Sequence, residues 1–68
     1  MSAPIDFALI AARVNARLAE QAKPGTMPEV VSAIRVERHL RFSGGIYTRH
    51  ALNLIRQIAA EVAAEQAK

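Results

Sequence analysis

The residues best equipped for chemistry are the arginines in the middle of the chain. Between Arg35 and Arg56 the sequence has five arginines and one acidic residue, Glu37. The remaining segments have four basic and five acidic residues, so the formal net charge of +3 arises in the middle. A guanidinium forms planar, paired hydrogen bonds with phosphate or carboxylate groups. The pattern predicts a polyanionic partner; the alternative is a solvated face that keeps a small hydrophobic protein soluble.

The other polar residues form no catalytic or metal-binding pattern. His39 and His50 are eleven residues apart, and neither has a carboxylate at ligand spacing. Ser43 has no evident general base, and a chain of 68 residues can hardly build a water-shielded cleft. The absence of cysteine excludes disulfides and thiolate metal sites. We therefore expect no enzyme activity, no metal, no cofactor and no small-molecule substrate.

The first segment of the chain has the periodicity of an amphipathic helix. Apolar residues recur at spacings of three and four, which places them on one helical face. These residues are Phe7, Ile10, Val14 and Leu18. Ser2 can cap this helix, Asp6 lies near the positive end of its dipole, and Pro24-Gly25 ends it. The pattern predicts a helix over about 4–22.

The last segment has the same kind of periodicity, over about 48–66. Its apolar row consists of Leu52, Ile55, Ala59 and Val62. A helix of this length measures about 28 Å, and a monomer of this size would struggle to cover its apolar face. We therefore expect the apolar rows of the two end helices to form the core or the interface of a homodimer.

The middle segment admits two interpretations. Thr26-Met27-Pro28-Glu29 matches a capping box, which predicts a helix over about 27–42 that Gly44 can close. Apolar and charged residues also alternate from Ile34 to Phe42, which is typical of a strand and would give an α-β-β-α chain with a hairpin around 34–48. A lone two-stranded ribbon is barely stable in water, so we favour the helix. The predicted fold is therefore all-α, with three helices.

The stretch from Leu40 to Arg56 resembles the helix-turn-helix pattern of DNA-binding regulators. In that pattern a glycine turn, here Gly45, lies between two helices that flanking apolar residues lock together. The apolar residues are Leu40, Ile46, Ala51 and Leu54. The resemblance implies that Thr48 to Gln57 is a recognition helix, whose side chains could pair with bases or hold phosphates. The expected DNA-contacting residues are Arg41, Tyr47, Thr48, Arg49, Asn53 and Arg56.

Two functions follow from these patterns for a single domain over 1–68. The first is a small dimeric regulator of the phage or plasmid type, which binds duplex DNA through the basic face of the C-terminal helix. The alternative is a protein-interaction module, an inhibitor or adaptor, that uses the aromatic and arginine residues of 36–47. Its exposed residues would be Val36, Leu40, Phe42 and Tyr47.

The N-terminal segment does not have the features of an export signal or a membrane anchor. It lacks a basic start, and Asp6 lies where a basic residue would be expected. The longest apolar stretch, Phe7 to Ala12, is far shorter than the ~20 residues of a membrane span. We therefore expect a cytoplasmic protein that does not bind membranes.

Overall fold

Three α-helices make up the regular structure of the chain. The computed structural model describes residues 5–42 and 46–67. Helix α1 spans Phe7–Gln21, α2 spans Ala33–Phe42 and α3 spans Arg49–Gln66. The predicted all-α fold is confirmed.

The alternative with a β-hairpin around 34–48 is wrong. The described residues contain no strand, and the alternating segment from Ile34 to Phe42 lies within α2. As a helix, this segment buries Val36 and His39 against the other helices, whereas a ribbon would bury little. The glycine predicted to close α2, Gly44, lies outside the described residues.

Helix α1 begins at Phe7 because Asp6 caps it. The Oδ1 atom of Asp6 accepts a hydrogen bond from the backbone N–H of Leu9 at 3.0 Å. The predicted cap, Ser2, lies outside the described residues. The helix ends ahead of Pro24-Gly25, as predicted, and Gly25 has a φ of 83° that other residues rarely adopt.

Helix α2 begins at Ala33, six residues later than predicted from 27. The capping box at Thr26 to Glu29 does not form, because the Glu29 carboxylate binds Thr48 instead. It accepts from the Thr48 backbone N–H at 3.2 Å and from the Thr48 hydroxyl at 2.7 Å. Ser32 lies ahead of α2, where its hydroxyl accepts from the backbone N–H of Arg35 at 3.4 Å.

A side chain of α1 holds the non-helical segment ahead of α2 in place. Asn15 donates to the Val31 carbonyl at 3.0 Å, and its carbonyl oxygen accepts from the Val31 N–H at 2.7 Å. Val31 is only 3% exposed, so its backbone groups need partners inside the protein. Because Asn15 supplies both partners, this segment needs no helical hydrogen bonds at Val31.

The hydrophobic core forms within one copy of the chain. All three helices and Val31 contribute to it, and the buried residues are Ile10, Ala11, Val14, Leu18, Val31, Val36, Ala51, Leu54, Ile55, Ile58 and Val62. Of the residues predicted for the core or dimer interface, five are buried, and Phe7, Leu52 and Ala59 are half-buried against the core. Five of the eight are therefore buried without a second copy, and dimerisation stays a prediction.

Two contacts show that α1 and α3 run in opposite directions. Arg13 donates to both carboxylate oxygens of Glu65, at 2.6 and 2.8 Å. At the other end, His50 Nε2 lies 2.6 Å from Gln21 Oε1. The hydrogen bonds that Arg13 donates to Glu65 raise the pKa of its guanidinium.

The starts of α2 and α3 lie close together, and the two helices meet again further along. The backbone N–H of Ser32, ahead of α2, donates to the Tyr47 hydroxyl, ahead of α3, at 3.1 Å. Further along both helices, Arg56 Nε donates to His39 Nε2 at 3.4 Å. The second contact brings one edge of α2 to the exposed face of α3.

Replacing Asn15 with alanine should destabilise the protein by about 2 kcal/mol, because the buried N–H and C=O of Val31 lose their partners. Urea unfolding followed by circular dichroism measures the change. The matched control is Asn53→Ala, at an exposed position of α3, which should change the free energy of unfolding by about 0.5 kcal/mol or less. Equal effects of the two substitutions would contradict the role of Asn15.

Replacing Thr48 with alanine should destabilise the protein by about 1 kcal/mol, because α3 loses its N-cap. The Thr48 hydroxyl accepts from the Ala51 N–H at 3.3 Å and donates to Glu29 at 2.7 Å. Thr48→Ser keeps the hydroxyl and should retain most of the stability. The same urea titration compares the variants, and a serine variant as unstable as the alanine variant would refute the capping role.

Candidate nucleic-acid interface

The basic face of α3 consists of Arg49, Asn53 and Arg56. These residues are spaced four and three apart, so they lie on one side of the helix, and all three are exposed. Arg49 and Arg56 are about 10.5 Å apart along the helix axis, close to the rise of three base pairs of DNA. Two guanidiniums with an amide between them can therefore face one short stretch of a duplex.

Arg56 is held in place by a buried imidazole. Its Nε donates to Nε2 of His39, which is the only buried polar or charged residue in the described part of the chain. This contact orients the Arg56 side chain along the edge between α2 and α3.

Helix α2 adds Arg35 to this edge. Arg35 lies one helical turn before His39 on the same side of α2. Because His39 contacts Arg56, Arg35 lies one helical turn from the point where α2 meets the α3 face. Arg35 and Arg49 are both exposed.

Four arginines lack a carboxylate partner in the described part of the chain. No carboxylate oxygen of these residues lies within 4.0 Å of Arg35, Arg38, Arg49 or Arg56. Sequence reasoning counted Arg35 and Arg38 in the charge excess but did not assign them to the site. In a helix that buries Val36, Arg35 and Arg38 lie on the sides away from the core. Helical spacing alone would therefore have placed both arginines at the surface.

Besides Arg56, three of the predicted DNA-contacting residues also make contacts within the fold. Arg41 Nε pairs with Glu37 at 3.0 Å, and its guanidinium carbon lies 5.9 Å from the centre of the Phe7 ring. The Tyr47 hydroxyl accepts from the Ser32 N–H, and Thr48 caps α3. Arg49, Asn53 and Arg56 are the members of the predicted set that the structure brings together on one exposed face.

The contacts around the turn differ from those of the helix-turn-helix pattern. Ala51 and Leu54 are buried and Leu40 is half-buried, as the pattern requires, but Ile46 is 73% exposed. The pattern also joins helices at about 90–120° by a turn of about three or four residues. Here six residues, 43–48, separate α2 from α3, and the predicted turn residue Gly45 lies outside the described residues.

The apolar patch predicted for a protein partner also needs correction. Val36 was expected to be exposed, but it is fully buried in the core, and Tyr47 is half-buried through its contact with Ser32. The helical conformation of α2 explains the error, because it turns Val36 inward and Ile34 outward. The exposed apolar residues of α2 are Ile34 and Phe42, at 74% and 76%.

A shallow cleft of about 220 Å³ lies at the end of the bundle beside the start of α3. Glu29, Thr48 and His50 line it, which gives a carboxylate, a hydroxyl and an imidazole in one place. Glu29 and Thr48 are bound to each other, and His50 contacts Gln21. These contacts assign the three groups to the positioning of α1 and α3.

The arginines on the edge between α2 and α3 are therefore the charged groups best placed to meet an external ligand. Within the described ranges, no helix combines the length and the apolarity that crossing a bilayer requires. Comparisons of the chain with protein-family models, with curated proteins and with solved structures found no match.

Proposed function

We propose that the protein is a small DNA-binding regulator that binds duplex DNA through the basic face of α3, together with Arg35 of α2. The observation that carries the proposal is the exposure of Arg35 and Arg49 with no carboxylate of the described chain within 4.0 Å. A guanidinium without an internal partner can form paired hydrogen bonds with a phosphate.

The distribution of ion pairs favours this surface over the rest of the molecule. Arg13 binds Glu65, and Arg17 lies 4.0 Å from Glu20, so the arginines of α1 have carboxylates close by. Residues 46–56 include no acidic residue, and Arg49 and Arg56 lie on the same face there. A phosphate backbone therefore meets an uncompensated positive charge along the edge between α2 and α3.

Asn53 gives this surface a means of distinguishing bases. It lies between Arg49 and Arg56 on the exposed face of α3, and its side chain makes no hydrogen bond within the described chain. An asparagine amide pairs with adenine in the major groove, and an arginine pairs with guanine. An α-helix fits that groove, so α3 can bring all three side chains to base edges or to the flanking phosphates.

The double substitution Arg35→Gln with Arg49→Gln should weaken DNA binding and reduce its dependence on salt. Each lost phosphate contact lowers the slope of log K against log salt by about 1, so the double variant should lose about 2. Fluorescence anisotropy of a labelled duplex over a series of salt concentrations measures both quantities. Neither arginine has a carboxylate partner in the described chain, so circular dichroism should show an unchanged fold.

The matched control removes the same charge from α1 and the segment after it. Arg17→Gln with Lys23→Gln should leave the slope within about 0.5 of the unmodified protein, because neither residue lies on the edge between α2 and α3. An affinity of the unmodified protein that does not change with salt would refute the proposal. An equal loss of slope in the control variant would show that net charge, and not this surface, determines binding.

A further inference from the structure

The side of α2 that faces away from the core has a row of side chains with mixed chemistry. Ile34, Arg38 and Phe42 follow one another at spacings of four, so they form one line along the helix. We call these three residues the outer row. Ile34, Arg38 and Phe42 line a shallow open groove of about 230 Å³ together with Glu37 and Arg41.

We propose that the outer row is a docking surface for an acidic amphipathic helix of a partner protein. Ile34 and Phe42 are about 12 Å apart along α2, and they offer two apolar anchor points. Arg38 lies between them with no carboxylate of the described chain within 4.0 Å. The outer row adjoins Arg35 of the surface assigned to DNA, but the proposal does not depend on DNA binding.

The residue types at this surface match those that dominate protein interfaces. Arginine and large aromatic side chains contribute most of the binding energy at such contacts, and apolar neighbours exclude water around them. Phe42 and Ile34 are about three-quarters exposed, so a partner that covers them removes apolar surface from water. A carboxylate placed between the partner's apolar residues would form paired hydrogen bonds with Arg38.

The geometry also indicates a helical partner. A helix with apolar residues seven or eight positions apart places them about 10.5–12 Å apart, which matches the distance between Ile34 and Phe42. An acidic residue at the middle position then lies opposite Arg38. This is the helix-in-groove mode of recognition, in which regularly spaced side chains on one helix fill a shallow groove.

Two other occupants fit the outer row less well. A second copy related by two-fold symmetry would place Arg38 close to the partner's Arg38, and like charges at an interface are strongly unfavourable. In duplex DNA the main apolar feature of a base edge is the thymine methyl group, so a phosphate backbone would leave Ile34 and Phe42 uncovered. An acidic amphipathic helix covers the apolar residues and neutralises the arginine.

A synthetic peptide tests this docking surface directly. The probe is a fluorescein-labelled helix of about 18 residues with leucines seven positions apart and glutamates between them. A second peptide has the same composition in scrambled order. Fluorescence anisotropy with the full chain should show at least about tenfold tighter binding of the ordered peptide, because only that peptide aligns its leucines with Ile34 and Phe42.

Substitutions in the outer row should weaken binding of the ordered peptide to different extents. Phe42→Ser should reduce the affinity by about tenfold or more. Arg38→Gln should reduce it by roughly threefold, and this reduction should become smaller as salt is added, because salt screens the charge of Arg38. The matched control is Met27→Ser, which removes an exposed apolar side chain outside the outer row. This variant should bind the peptide as the unmodified protein does.

Several outcomes would overturn the docking surface. Equal binding of the ordered and scrambled peptides would show attraction by charge alone, and equal effects of Phe42→Ser and Met27→Ser would place the contact elsewhere.

Loss of duplex DNA binding in Phe42→Ser, with the fold intact, would assign the outer row to DNA. A dimer in sedimentation equilibrium that Phe42→Ser dissociates would assign it to a second copy. Peptide binding without any DNA binding would refute the proposed function alone.

Discussion

The arrangement of the three helices depends on the two hydrogen bonds between Asn15 and the backbone of Val31. They satisfy a buried N–H and a buried C=O at once, at 2.7 and 3.0 Å, and tie the segment ahead of α2 to the middle of α1. Because that segment is not helical, α2 begins only at Ala33. The start of α2 in turn decides which of its residues face the core and which arginines face solvent.

The sequence was sufficient to predict α1 and α3 but not the start of α2. The end helices have apolar rows at helical spacing, and Ile10, Val14, Ile55 and Val62 are buried as that spacing indicates. The capping box at 26–29 is a local pattern, whereas the partner of Glu29 is Thr48, nineteen residues away in the sequence. A contact over that separation cannot be derived from a local pattern, so the predicted helix was too long.

The same limit explains which site residues could be predicted. Arg49, Asn53 and Arg56 follow from helical spacing alone, and the structure places them on one exposed face. Tyr47 and Thr48 were predicted from the polar chemistry of their side chains, but each hydroxyl contacts the segment ahead of α2. A polar side chain next to the start of a helix can form hydrogen bonds within the fold or contact a ligand. Only the tertiary contacts distinguish these two roles.

The charge around the exposed apolar residues decides what kind of partner they can accept. The core closes within one chain, so the apolar faces of α1 and α3 no longer favour a second copy. The large apolar side chains left on α2, Ile34 and Phe42, lie next to Arg38. A second copy would bring like charges together, whereas an acidic partner would gain both apolar contact and charge neutralisation. Arg38 therefore supports the proposal of an acidic partner, rather than a second copy, at the outer row.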